Sequence, residues 1–191
     1  MVMKNRKKIL IISLTLLASF TSAAETVTKG MKKVIDDALD FSVKQSMSMF
    51  YEMKDQKGIL PRTAENGKMI TCESAWWTSG FYPGTLWYCY EYSNDPQIRA
   101  AAEEMTSRVE KQKYTTSNHD VGFIINCSFG NGYRLTHNET YRKVIETAAK
   151  SLSTRFHPVT GCTRSWNSKK WQFSVIIDNM MNLELLNVAS S

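Results

Sequence analysis

The sequence predicts an all-α protein built from about three consecutive helical hairpins. Three observations carry that expectation. Apolar residues recur at spacings of three and four in six separate stretches, as on the buried face of an amphipathic helix. No stretch alternates apolar and polar residues over the length of a strand, and no glycine-rich phosphate loop or low-complexity tract interrupts the pattern. The composition of the 191 residues, 42% hydrophobic and 22% charged, is that of a globular chain of one domain. Three hairpins can close a bundle, stack as a piece of α-solenoid or form part of a helical toroid. The lack of a fixed repeat period argues against the solenoid.

The first helix is expected from about Val27 to Met53, with Met31, Val34, Ile35, Ala38, Leu39, Phe50 and Met53 on its apolar side. Residues 58–72 follow neither period and read as a long surface loop, of the kind that tends to be functional. Pro83 fits the first turn of a second helix, where its missing N–H costs nothing, and the helix should break at Ser93-Asn94. Asp95-Pro96 is an N-cap followed by proline, so a third helix starts there with Ile98, Ala101, Ala102, Met105 and Val109 inward. The fourth should run from Asp120 to about Phe129 and close at Gly130-Asn131-Gly132. The fifth starts near Asn138 and buries Tyr141, Val144, Ile145, Ala148 and Leu152. The sixth, Val175 to Ala189, is apolar on all sides and is expected to be buried all round.

The formal charge of +6 invites a nucleic-acid reading, and its distribution argues against one. Lys4, Arg6, Lys7 and Lys8 precede the apolar run Ile9–Ala18 and the small residues Ser22-Ala23-Ala24, the three regions of a secretory signal peptide cut after Ala24. Without those four cations the balance against 18 acidic residues is +2. The run is shorter than the ~20 residues a spanning helix needs. The expected organisation is therefore a signal peptide over 1–24 and a helical domain over 25–191, exported to the periplasm or outside the cell, with no stable membrane insertion and no nucleic-acid partner. Cys72, Cys89, Cys127 and Cys162 allow three pairings or none, and their spacing matches no zinc pattern.

Two carboxylates stand in apolar surroundings near predicted helix starts, Asp120 in Asn118-His119-Asp120-Val121-Gly122-Phe123 and Asp178 in Val175-Ile176-Ile177-Asp178-Asn179-Met180-Met181. The fourth and sixth helices of a hairpin stack run in one direction, so both residues can reach one rim. A convergent pair is the minimal acid/base equipment for work on a glycoside, and burial would raise the pKa of one of them. The competing structural role is the ordinary one of an aspartate at a helix start, the N-cap. His119 adjoins the pair. Aromatic residues crowd positions 76–92, and Trp77 and Trp166 lie in loops before helices, where an exposed ring can stack on a sugar.

Four strings taken together, Trp76-Trp77-Thr78-Ser79-Gly80-Phe81-Tyr82-Pro83-Gly84 with Leu86-Trp87, the segment Asn118–Phe123, Gly161-Cys162-Thr163-Arg164-Ser165-Trp166, and Val175–Leu183, resemble the unsaturated glucuronyl hydrolases, glycoside hydrolase family 88. The resemblance implies an (α/α)6 toroid, of which about three hairpins are present here, making 25–191 the N-terminal half of such a domain. It implies substrates that are unsaturated uronic-acid oligosaccharides, with glycosaminoglycan lyase products favoured. Asp178 would protonate the vinyl ether at C4 and activate the water that adds at C5, and Asp120 would be the second essential carboxylate. Trp77, Trp166 and His119 would bind the sugar, with Arg164 the candidate for the uronate carboxylate. Ser79 stands where the family commonly has Asn, and no role is carried onto it. No metal or cofactor is implied. Two readings follow, catalysis by this chain, or a non-catalytic portion that at most binds sugar weakly or serves as a helical interaction module. A half toroid would also expose an apolar edge able to drive self-association.

Overall fold

The computed structural model describes residues 28–191. The signal peptide expected over 1–24 lies outside the described residues. The chain divides into two units, Met1–Ala38 and Leu39–Ser191. What is described of the first is the opening of helix α1 (Lys29–Met53), where Lys32–Asp36 and Lys33–Asp37 form exposed i,i+4 pairs of 2.6 Å. Such pairs contribute little stability.

The second unit departs from expectation at once. Residues 58–72 are largely strand. β1 (Ile59–Glu65) and β2 (Lys68–Glu73) form an antiparallel hairpin that pairs Glu65 with Lys68 and Leu60 with Cys72. The turn is Asn66-Gly67, with φ of 50° and 72°, the left-handed pair that matches the twist of a two-residue hairpin. Pro61 is accommodated where the register slips between Pro61 and Thr63. Alternation is hidden because the ribbon is mostly exposed and Leu60 is its buried anchor.

Helix α2 (Phe81–Ser93) ends as predicted, on Asn94 in the left-handed conformation, whose N–H bonds to Tyr90 O. Helix α3 (Pro96–Ser107) begins as predicted, with Asp95 accepting from Gln97 N at 2.7 Å. The two pack together around Trp87, which is fully buried and donates from Nε1 to Thr106 Oγ1 at 2.9 Å. A 3₁₀ segment, Glu110–Tyr114, leads into α4 (Val121–Ile125). The chain does not stop at Gly130. It passes through a π-helical turn, Asn126–Gly130, into α5 (Asn131–Thr136), and ends on left-handed His137. Gly132 is there for closeness, because a Cβ would lie 2.7 Å from the Tyr141 ring and 3.0 Å from that of Trp87. Helix α6 (Glu139–Ser153), capped by Asn138, buries Val144, Ile145, Ala148 and Leu152 against Ile124, Ile125 and Phe129.

A small ribbon, β3 (Phe156–His157) with β4 (Cys162–Thr163), closes the next loop. The predicted sixth helix is two short ones, α7 (Asn179–Asn182) and α8 (Glu184–Ser190), and 174–178 is not helical. The expectation of burial all round is corrected. Leu185 is buried, while Ile177, Met180 and Met181 are 86%, 68% and 66% exposed, since no described element covers that side. The four cysteines are free thiols, and Cys162 is exposed.

Candidate active site

Asp120 and Asp178 occupy the N-cap positions of α4 and α7 without capping them. Their backbones are helical, at φ/ψ of −65°/−9° and −67°/−11°, and neither side chain bonds to a helix N–H. Asp95, at −77°/120°, is the contrast, since an extended backbone is what folds a side chain onto the first turn. The donor that Asp120 leaves unsatisfied, Phe123 N–H, is met from the other helix by Asn182 Oδ1 at 2.7 Å. Capping from a distant residue releases the carboxylate. The two helices can approach this closely because residue 122 is glycine, whose absent Cβ would lie 2.3 Å from Asn182 O.

Both released carboxylates turn to His119. Asp120 Oδ1 and Asp178 Oδ2 each lie 3.5 Å from its Nε2, so the convergence expected from helix direction is present. The imidazole is 1% exposed, and the carboxylates above it are 22% and 32% exposed. On its other edge Nδ1 contacts Asn179 Oδ1. Asn179 Nδ2 donates to Thr163 O (2.7 Å) and Ser165 Oγ (3.1 Å), which leaves Oδ1 as the acceptor and places a proton on Nδ1. Nε2 therefore faces two carboxylates. Burial pushes the Asp120 carboxyl above its ordinary range, and Asp178 adds to this while His119 and Arg155 oppose it. Asp178 Oδ1 is buried without a hydrogen-bond partner. One oxygen of the pair thus waits for a donor.

Ser165 pins the surrounding segments. Its carbonyl accepts from His119 N, its N–H donates to Ser174 O, and its Oγ accepts from Ile176 N. A bridge between Asn118 and Trp166 continues this alignment and sets the Trp166 ring against His119, centroids 5.9 Å apart. Trp77, 42% exposed, packs on Phe81 (5.7 Å) and on Phe123 of α4 (6.2 Å). Arg164 is not brought to the carboxylates. Its guanidinium lies 5.9 Å from the Phe173 ring and lines a different cavity. The cation that does act on Asp120 is Arg155, buried in the structure and held by Thr116 O and Arg164 O. Sequence reasoning missed Arg155, Ser165, Asn179 and Asn182. A polar residue directly after Asp178, and another four positions on, was the available signal for the last two. Ser79 is structural, buried and bonded to Ser74 O.

His119, Asp120 and Asp178 are also the group, among the described residues, that could hold a metal ion, with one ligand atom from each within 4.8 Å of the others. One imidazole nitrogen and two carboxylate oxygens would suit a divalent cation.

No family model matches the chain. It is 47% identical over 113 residues to an unsaturated glucuronyl hydrolase of Formosa agariphila, a match covering 58% of this chain and 28% of that protein. With an unsaturated chondroitin disaccharide hydrolase of Streptococcus pyogenes serotype M1 it shares 32% identity over 163 residues, 82% of this chain and 40% of the other. A solved unsaturated glucuronyl hydrolase specific for heparin aligns with a TM-score of 0.73 at 40% identity, over 81% of this chain and 43% of its own length. The chain spans less than half the length of these relatives. Its mostly helical fold corresponds to part of their (α/α)6 structure. Over 28–43% of their length, the chain is homologous to unsaturated glucuronyl and unsaturated chondroitin disaccharide hydrolases.

Proposed function

We propose that this chain carries the carboxylate pair of a hydrolase that removes a 4,5-unsaturated uronic acid from the non-reducing end of glycosaminoglycan lyase products. The observation that carries the reading is the meeting of Asp120 and Asp178 over a buried His119, beside the exposed ring of Trp166. Asp178, the more exposed of the two, delivers a proton to C4 of the vinyl ether. Its carboxylate then takes a proton from the water that bonds to C5. The hemiketal formed there opens to a C5 ketone, the freed ring oxygen leaves a hemiacetal at C1, and its collapse to an aldehyde releases the next sugar as an alcohol. Asp120, whose proton affinity burial raises, and His119, fixed by Asn179, stand beside Asp178 to hold the sugar ring and its hydroxyls in place. Trp166 and Trp77 supply flat apolar faces for the rings.

The test is to incubate the purified chain with unsaturated chondroitin and heparin disaccharides and follow the absorbance of the double bond. The expected result is a steady loss that Asp178→Asn removes. A well-folded chain that leaves the absorbance unchanged refutes catalysis by this chain. Saccharide binding without turnover supports the second reading, a carbohydrate-binding portion, which the coverage of about two fifths of the relatives keeps in view. Export belongs to the same proposal, because lyases meet polysaccharide outside the cytoplasm. A mature N-terminus at Glu25 in exported protein is its expected signature, and retention of residues 1–24 counts against it.

A further inference from the structure

Apart from the carboxylates, the loop after α6 borders an open polar cavity of about 590 Å³, whose wall includes Arg155, His157, Arg164, Asn167, Gln172 and Phe173 and no Asp or Glu. Two guanidiniums share this wall, and Arg155 is 7% exposed. Its Nη2 and the Nε of Arg164 are buried without an acceptor. Burial lowers the proton affinity of Arg155, the nearby positive charge of Arg164 lowers it further, and Asp120 opposes both. Arg155 already has Asp120 as its opposite charge and Thr116 O and Arg164 O as acceptors, so the guanidinium left to meet a ligand is that of Arg164, whose planar fork is shaped for an oxyanion. His157, Asn167 and Gln172 add polar groups, and Phe173, edge-on to His157 at 5.6 Å, offers an apolar face.

The cavity is linked to the carboxylate site along one strand-like segment. Thr163 and Ser165 are buried, so the alternation puts half-buried Arg164 and exposed Trp166 on the same side, about 7 Å apart along the backbone. Trp166 is the ring that packs on His119.

We infer that the cavity walled by Arg155 and Arg164 is an oxyanion subsite, taking the sulfate or carboxylate of an acidic saccharide whose neighbouring ring lies on Trp166. The saccharide part of this inference rests on the function proposed above, and the oxyanion part stands without it. The experiment is an NMR titration of the whole ¹⁵N-labelled chain, reading the arginine Nε–H resonances at fixed ionic strength. The probes are sodium chloride, sodium acetate, sodium sulfate, and unsaturated chondroitin disaccharides with and without a 6-sulfate. The Arg164 resonance should shift saturably with sulfate or acetate and not with chloride, and should saturate at about tenfold lower concentration with a disaccharide. Arg164→Gln should weaken binding by about tenfold or more, the loss of one charge-assisted hydrogen bond. Gln172→Ala, at an exposed wall position, carries the same comparison if Arg164→Gln does not fold. No saturation with any oxyanion, or saturation unchanged in the variant, overturns the site. Inorganic sulfate binding as tightly as the disaccharides overturns the saccharide assignment and leaves a free-anion site. Binding is read without turnover, so a catalytically silent chain still gives an answer.

Discussion

Replacing Gly122 with alanine tests the geometry on which the site depends. A Cβ at this position would lie 2.3 Å from Asn182 O, 2.6 Å from its Cα and 2.7 Å from its Oδ1. Relief to ordinary contact requires α4 and α7 to separate by about 1 Å. Overpacking of this kind costs about 1–3 kcal/mol. The separation also breaks the 2.7 Å bond from Phe123 N to Asn182 Oδ1 and strands a partly buried donor, for about 1–3 kcal/mol more. Alanine's better helix propensity returns up to about 1 kcal/mol. The net expectation is a loss of about 1–5 kcal/mol, which at ~2–4 °C per kcal/mol is a fall in Tm of roughly 2–20 °C. Thermal melts followed by circular dichroism measure it. Because two of the three clashing atoms are backbone, Gly122→Ala/Asn182→Ala should be no more stable than Gly122→Ala. An alanine variant that melts within ~2 °C of the parent, or a double variant that recovers the parent's Tm, refutes the close approach of the two helices. If the chain turns substrate over, the same 1 Å shift between Asp120 and Asp178 should reduce the rate by about 100-fold.

Three other outcomes follow from single contacts. Trp87→Phe keeps most of the buried ring and removes the donor to Thr106 Oγ1, so urea denaturation should give a loss of about 1–3 kcal/mol, against about 3–5 kcal/mol for Trp87→Ala. Asp95→Ala removes the cap of α3 and should cost about 1 kcal/mol in the same assay, and no loss would mean the cap is not formed in solution. Asp120 has a raised carboxyl pKa in the fold, so its favourable contribution is complete below the unfolded-state value of about 3.9 and is lost as pH rises through the folded value. Asp120→Asn should therefore gain stability relative to the parent between pH 4 and pH 7, and a relative loss over that interval would overturn the burial argument.

Helices whose boundaries are set locally were readable from sequence. Asp95 and Asn138 cap α3 and α6 through N–H groups two residues away, and Asn94 ends α2 within its own turn. The β-hairpin had a local signal too, Asn66-Gly67, but its exposed strands lack the alternation that would mark them. Gly130 and Gly132 look like a helix stop in one dimension. In three they lie within a continuing helical run, and Gly132 makes room for Trp87 and Tyr141. Arg164 was conspicuous because it stands in a string beside Trp166. The cation that acts on Asp120 is Arg155, a residue that no pattern singled out.

The sequence by itself determined which residues could do the chemistry and where most of the helices begin. It singled out Asp120, His119 and Asp178, and it left open whether the two aspartates cap their helices. Only the tertiary structure decided that. Asn182, 59 residues beyond Phe123, takes over the helix donor, and Asn179, 60 residues beyond His119, fixes the imidazole. A cap is a bond between near neighbours and leaves a mark in local sequence. The freedom of these carboxylates depends on polar groups brought from a segment distant in sequence, and the burial that raises the Asp120 carboxyl pKa exists only once α4 and α7 are packed together.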